Sequence, residues 1–442
     1  MENLILAIFT ALIFLVSYLF SWMHLYFISG AVLMLYGIAC YVVLYIRTRN
    51  LINTRGVFLV FWLFAIGLAA LKIHPKQVDW QVETWLCLGV STVFFLLGYD
   101  AGNRSNRIYE FQVFRTVDPF WMIVLFSALI FACFAVEVVE FRGLPILSRQ
   151  MNAYVNFGLP FVHYMTVSCI MVPPVSLILL QKKKLIYYKK WIILACNLVM
   201  AVIPLLIVSR QLLIMEVLLF AFTWMQITGF TQLRKIKPIY IVLMIAAVLL
   251  AWVVLSRYRN QNERYLKIVL ELDDKMSVQM YQIYMYIAFN FDNFNHFVGK
   301  VAYTTLGYSS LVPLWTYTGT KALLANLVNP DILKDVGNYM STFTTYPFVC
   351  VPYMDAGILG VGIYSAVIGL FSGRKERKQL ELAPVHWDYL SIALIDYCLI
   401  FSFFTAAFSN ITVWTYFIEI FVFRLLTKQD YPNEINKSEV SS

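Results

Sequence analysis

The chain is a succession of apolar runs, each close to the length that crosses a bilayer. A spanning helix needs roughly 17 to 25 apolar residues to cover the hydrocarbon. About twelve runs meet that rule: 3–21, 25–46, 57–72, 84–99, 118–138, 160–180, 190–208, 211–228, 239–256, 344–371, 387–406 and 410–427, the third and fourth being short. Composition closes off the soluble alternative. Of 442 residues 61% are hydrophobic and 13% charged, against about 25% charged in a soluble domain. Too few charges remain to cover a water-facing surface. The fold class expected is therefore an all-α polytopic membrane protein with about twelve transmembrane helices. No internal repeat is evident, which argues against a repeat-built transporter. The opening MENLILAIFTALIFLVSYLF lacks a basic leading region and a small-residue cleavage site. It reads as a retained first span.

The loops orient the spans. Basic residues gather in every second loop: Arg47, Arg49 and Arg55; Arg104, Arg107 and Arg115; the lysines of QKKKLIYYKK; Arg234, Lys235 and Lys237; Arg374, Lys375, Arg377 and Lys378. The positive-inside rule assigns these loops, and both termini, to the cytoplasm. The net charge of +9 is thereby read as topology, and no nucleic-acid partner is expected. Four segments follow: a bundle of nine spans (1–255), an extracytoplasmic loop with interfacial helices (256–343), three last spans (344–427) and a cytoplasmic tail (428–442). Two further spans within 281–318 would leave the C-terminal orientation unchanged. The seven cysteines all lie in apolar runs and form no CxxC or metal-ligand spacing. They read as small core hydrophobes.

Against this pattern, six arginines face outward: Arg142, Arg149, Arg210, Arg257, Arg259 and Arg264. Arg210 interrupts LLIVSRQLLIMEVLL at the outer tip of a tight hairpin, with Glu216 nearly two turns further on. Each could be an ordinary boundary charge; Arg210 could snorkel, and Arg142 could pair with Glu137 or Glu140. As a set they suit an anionic headgroup, because guanidinium pairs bidentately with phosphate. The set is read as a pyrophosphate-binding group.

Three stretches carry a family resemblance. VSRQLLIMEVLLF places an arginine on a hairpin tip before an apolar helix. WVVLSRYRN leads a span into the long outer loop. GNYMSTFTTYPFVCVPYMDAGILGVGIYSAVIGLFSG has an Asn-Tyr pair before a span bearing Asp355 and several glycines. With FRGLPILS in the earlier outer loop, the chain resembles the Wzy-type oligosaccharide repeat-unit polymerases along nearly its whole length. It departs at Asp-Ala-Gly, where an aromatic often follows the aspartate.

The resemblance implies a GT-C-like membrane glycosyltransferase in the bacterial cytoplasmic membrane, acting on its outer face in O-antigen, capsule or exopolysaccharide synthesis. Its substrate would be an undecaprenyl-pyrophosphate-linked oligosaccharide, with membrane lipid around it and a chain-length regulator and a flippase as partners. It needs no cofactor, nucleotide sugar or metal. Arg210, Arg257 and Asp355 are the catalytic candidates, the arginines opposing the charge that develops on the leaving pyrophosphate. His296 and Tyr339 are candidates for a base or a sugar contact. Other outer carboxylates are Glu140, Glu263, Asp292, Asp331 and Asp335, and His163 is a second outer histidine. Tyr281, Tyr284, Tyr286, Phe289, Phe291, Phe294 and Phe297 could stack on sugars or form an interfacial belt; Tyr303, Tyr308, Trp315 and Tyr317 suit sugar contact better. The glycines of 357–369 read as helix-packing positions. An O-antigen ligase, a lipid-linked oligosaccharide flippase and a non-catalytic assembly subunit are the competing functions.

Overall fold

A computed structural model describes residues 2–104, 117–148, 156–182, 186–228, 267–268, 278–300, 305–328, 332–339, 344–381 and 386–426. Its elements are all helical: α1 (Glu2–Trp22), α2 (Tyr26–Thr48), α3 (Thr54–Ala70), α4 (Val82–Arg104), α5 (Pro119–Glu140), α6 (Val162–Val167), α7 (Val172–Lys182), α8 (Tyr187–Leu206), α9 (Arg210–Thr228), α10 (Val278–Phe297), α11 (Val312–Tyr317), α12 (Lys321–Ala325), α13 (Ile332–Val336), α14 (Cys350–Glu381), α15 (His386–Ile400) and α16 (Ile411–Leu426). Among the described residues, seven helices are long and apolar enough to cross a membrane: α1, α2, α4, α5, α8, α9 and α14. That is the architecture of a polytopic membrane protein. The expected run 239–256 lies outside the described residues. The runs at 57–72, 160–180, 387–406 and 410–427 are helical but shorter or interrupted.

The packing forms two units, each discontinuous in sequence. One comprises 1–105, 256–376 and 394–414; the other comprises 106–255, 377–393 and 415–442. The divisions at 255 and 343 expected from the sequence describe the order of spans and loops, not these units.

The first unit is organised around α3. Asn53 caps it, its side chain accepting from Gly56 N at 3.0 Å, which satisfies a free N–H of the first turn. Phe58, Leu59, Trp62, Leu63 and Ile66 have no exposed surface. Only one stripe of α3 is open, at Phe61 and Phe64, 43% and 42% exposed; the rest of this all-round apolar helix is packed in protein. Glycines admit its neighbours: a Cβ added to Gly30 of α2 would lie 2.4 Å from Gly67 O of α3.

A second close pair joins α4 to α14. Added Cβ atoms at Gly98 and Gly102 would lie 2.1 Å from Ala366 O and 2.2 Å from Leu370 O. Those at Gly369 and Gly373 would lie 2.2 Å from Phe95 O and Tyr99 O. Matching positions rise together along both helices, so α4 and α14 run parallel, with Arg104 and Arg374 near the same end. This is small-x-x-x-small packing on both partners. Beside it, Glu376 accepts from Asn53 Nδ2 at 2.7 Å and Tyr99 OH at 2.5 Å.

In the second unit Asp118 caps α5, accepting from Phe120 N at 3.0 Å, with Pro119 in the first helical position; the proline's fixed φ suits that place. A 3-10 turn at Ser168–Met171 joins α6 to α7. Its Ser168 Oγ donates to Glu419 Oε1 of α16 at 2.5 Å. Helix α8 carries Pro204, and the chain reverses through Val208 at φ +62° before α9 begins at Arg210.

Candidate functional site

The end of the first unit remote from Arg374 is built on α10, which is not among the seven spanning helices. Its sequence FNFDNFNHF interleaves aromatic and amide or carboxylate side chains. The aromatics supply its core: Phe289, Phe291 and Phe294 have no exposed surface and Phe297 is 1% exposed. These rings have no face to offer a sugar, which corrects the expectation that they could stack on one.

The polar side chains of α10 tie down three separate loops. Asn290 Nδ2 donates to Phe403 O at 3.1 Å, and its Oδ1 accepts from Thr345 Oγ1 at 2.5 Å. Asn293 Nδ2 donates to Thr345 O at 3.1 Å. Asn295 Oδ1 accepts from Gln81 N and Thr84 Oγ1, each at 2.8 Å. Asp292 accepts from Trp80 Nε1 at 2.7 Å and pairs with Lys72 Nζ at 3.0 Å. Lys72 also lies over the Trp80 ring, 4.2 Å from its centroid. Burial pushes the Asp292 carboxyl up and the Lys72 ammonium down, and each partner's charge opposes the shift of the other.

Lys72 is not among the residues that sequence reasoning singles out. The signal is present: Lys72 and Lys76 sit in LKIHPK, a loop assigned to the face where lysine is scarce.

Tyr339 and His296 meet at this end, with ring centroids 5.8 Å apart. Tyr339 OH donates to Lys76 O at 2.7 Å, and burial raises its pKa. Lys300 Nζ is 3.0 Å from His296 Nε2. Burial and this neighbouring cation both lower the His296 pKa, which keeps the imidazole neutral at pH 7.

Asp355 is 4% exposed. It accepts from Thr305 Oγ1 at 2.5 Å, Ser309 N at 3.0 Å and Ser310 N at 2.8 Å. The backbone breaks from helical geometry immediately after it, at Ala356 (φ −156°) and Gly357 (φ +59°). The positive φ favours glycine. Asp355 thus anchors the 305–310 loop against the broken start of α14.

Beside this anchor lies a cavity of about 310 Å³. Its walls come from Ser309 and Val312, from 344–347 with the start of α14, and from 404–410. None of its lining residues is charged.

In the second unit, Arg210 is 8% exposed and Glu216, on the same helix, 6%. The Arg210 side chain is therefore packed within the protein and not spread over its surface. Ser209 caps the helix, its Oγ accepting from Leu212 N at 3.4 Å. Arg142 follows α5 in the left-handed region at φ +58°. Glu137, weighed as its partner, is engaged elsewhere: this carboxylate, 1% exposed, accepts from Leu159 N at 3.0 Å and faces His163 Nδ1 at 3.1 Å. Arg149, Arg257, Arg259 and Arg264, with Glu263, Asp331 and Tyr303, lie outside the described residues.

The sequence candidates thus fall into two groups: Asp355, His296 and Tyr339 in the first unit, Arg142 and Arg210 in the second. Among the described residues no group of three or more His, Cys, Asp or Glu side chains is placed to hold a metal ion. Comparison with known protein families, with characterised proteins and with solved structures gives no match.

Proposed function

We propose that this chain is a membrane glycosyltransferase that joins polyprenyl-pyrophosphate-linked oligosaccharide repeat units on the outer face of a bacterial cytoplasmic membrane. The observation that carries the reading is the burial of Arg210 at the start of α9. A guanidinium at a hairpin tip can reach water at little cost. Here it is packed inside, and it sits at the positive end of a helix dipole, where a cation is disfavoured. Arg210 already has an interaction within the protein, and an anion sharing the place would lower both costs further. The positive potential of the helix N-terminus then adds to that of the guanidinium.

In the proposed reaction the hydroxyl of an acceptor sugar attacks the anomeric carbon of the donor. The new glycosidic bond forms as the bond to pyrophosphate breaks, and the hydroxyl proton passes to a base or to water. Negative charge grows on the departing pyrophosphate, and Arg210 would stabilise it. Fixed donors aimed at developing charge contribute about 10²–10³ in rate each.

One observation favours a flippase as the second reading. Glu376 and Asp396 are 2% and 0% exposed, near the basic end, and outward chemistry has no use for acids there. Intramembrane carboxylates are common in transport pathways.

The test is deletion of the gene, followed by gel and mass analysis of the surface glycan and its lipid-linked precursors. Single repeat units accumulating outside, with no long chains, are the expected result. Precursors trapped inside mean a flippase, and long polymer left on its lipid carrier means a ligase. In complementation, Arg210→Ala and Arg210→Lys are expected to lose polymer while keeping protein abundance, since lysine cannot reproduce a bidentate contact. Normal polymer from both would remove Arg210 from the site.

A further inference from the structure

The uncharged cavity of the first unit has no part in the pyrophosphate chemistry. Its polar lining includes Ser309, Thr344, Thr345, Tyr346, Thr405, Ser409 and Asn410. Hydroxyls both donate and accept, and amides offer one group of each kind. Such a lining suits a ligand that itself presents hydroxyls in both roles. It does not suit pyrophosphate, which calls for cations. The hydroxyls of Ser309, Thr345, Tyr346 and Ser409 each bond once within the protein and keep acceptor lone pairs that a lipid chain would leave unused.

Size narrows the class. At about 310 Å³ the cavity is at the lower end of the roughly 300–1,000 Å³ typical of small-molecule sites. It can enclose a ring or two, not a whole lipid-linked unit. Phe404 supplies the apolar surface that the C–H face of a sugar prefers, and its ring is itself braced by Tyr286 at 6.0 Å.

The walls are built in advance. Thr345 is held by Asn290 and Asn293, and Phe403, next to Phe404, by Asn290. Phe348 N donates to Ser402 O at 2.7 Å, joining the two wall segments directly. Asn410 Oδ1 already accepts from Thr412 N at 2.8 Å, so its amide chiefly offers N–H donation. Preorganisation of this kind lowers the cost of ordering a site on binding.

The position also fits. Cys350, in the cavity wall, and Arg374 lie toward opposite ends of α14. The backbone breaks between them at Ala356 and Gly357, and the regular helix beyond the break, from Ile358 to Arg374, rises about 24 Å at 1.5 Å per residue, which sets the cavity at the end of α14 away from its basic residues.

We propose that this cavity binds one neutral sugar ring of the glycan substrate and so sets which repeat unit the protein accepts. What the sugar belongs to rests on the polymerase reading; the binding itself does not. The experiment uses the purified full-length protein in detergent micelles and saturation-transfer NMR. The probes are a panel of neutral hexoses, deoxyhexoses and N-acetylhexosamines, and the glycan released by mild acid from the host's own lipid-linked precursors. At least one is expected to show saturated ring protons that excess inorganic pyrophosphate does not displace. Ala406→Phe, which fills the cavity, should cut that signal at least fivefold. Val312→Phe, from a different wall segment, does the same if the first variant fails to fold. No signal from any probe, or a signal unchanged in a folded cavity-filled variant, overturns the proposal. Sugar binding that persists while the deletion strain shows a flippase phenotype refutes the polymerase reading alone. Accumulated single repeat units without sugar binding refute the cavity alone.

Discussion

Lys72 and Asp292 form an ion pair across 220 positions of sequence, with 3.0 Å between Nζ and Oδ1 and side chains only 6% and 0% exposed. Trp80 completes the arrangement, donating its indole N–H to the carboxylate while its ring faces the ammonium. The pair fastens the loop after α3 to α10. Removing one member leaves the other charge buried without its counterion, at a cost of about 3–5 kcal/mol. Lys72→Met and Asp292→Asn are each expected to lower the thermal midpoint in detergent. The double variant should lose less than the two single losses added. Strict additivity would show that the charges are not coupled.

The glycine contacts between α4 and α14 make a steric prediction. An alanine at Gly98 or Gly369 must push a backbone carbonyl away, since the new Cβ would lie 2.1 or 2.2 Å from it. Overpacking of this kind costs about 1–3 kcal/mol. Gly362→Ala is the control, because its Cβ would meet Val90 Cγ1 at an ordinary 3.4 Å. Thermal midpoints should fall for the first two variants and hold for the third.

For Asp355 two roles separate cleanly. As an anchor it satisfies three donors of the 305–310 loop, and each buried donor left unpaired costs about 1–3 kcal/mol. Asp355→Asn then lowers thermal stability, because an amide N–H₂ faces a backbone N–H where an oxygen stood. As a general base, the same variant would lose polymer synthesis with its thermal midpoint intact. The geometry leads us to expect the stability loss, measured by thermal unfolding beside polymer output in complemented cells.

His296 predicts a pH dependence. Its folded pKa lies below the unfolded value near 6.5, so the unfolded chain binds the proton more tightly. Stability is full above about 6.5 and is lost as the pH falls through that value towards the lower folded one. His296→Gln, neutral at every pH, should flatten this part of the profile. Thermal midpoints measured between about pH 5 and 8 in both proteins, the range in which histidine titrates, give the answer; equal slopes would show that another group titrates there.

The helices are legible in the sequence because bilayer-length apolar runs are a strong, local signal. Their number is less so. Runs such as 57–72 and 387–406 look like spans by composition, yet α3 and α15 are short and α3 is packed by protein on every side but the stripe of Phe61 and Phe64. Composition cannot separate protein from lipid as an apolar solvent. The Gly98/Gly102 and Gly369/Gly373 spacing is readable, but that these two pairs face each other is not. Arg210 stands out as a charge in an apolar run, whereas its burial depends on neighbours that no local pattern names. Lys72 and Asp292 lie far apart in the chain, and only folding joins them. The cavity is invisible to sequence reasoning for the same reason: threonines, serines and an asparagine from three segments carry no motif.

Helix α10 has a dynamic consequence. Its asparagines and Asp292 fix the loops at 72–84, 344–348 and 401–403 through one rigid element, so none of these loops can detach without breaking bonds held by the same few turns. Local opening in proteins follows such shared supports. The backbone amides of all three loops are therefore expected to exchange with solvent deuterium at one common rate, as a single cooperative block, although the sequence scatters them across most of the chain.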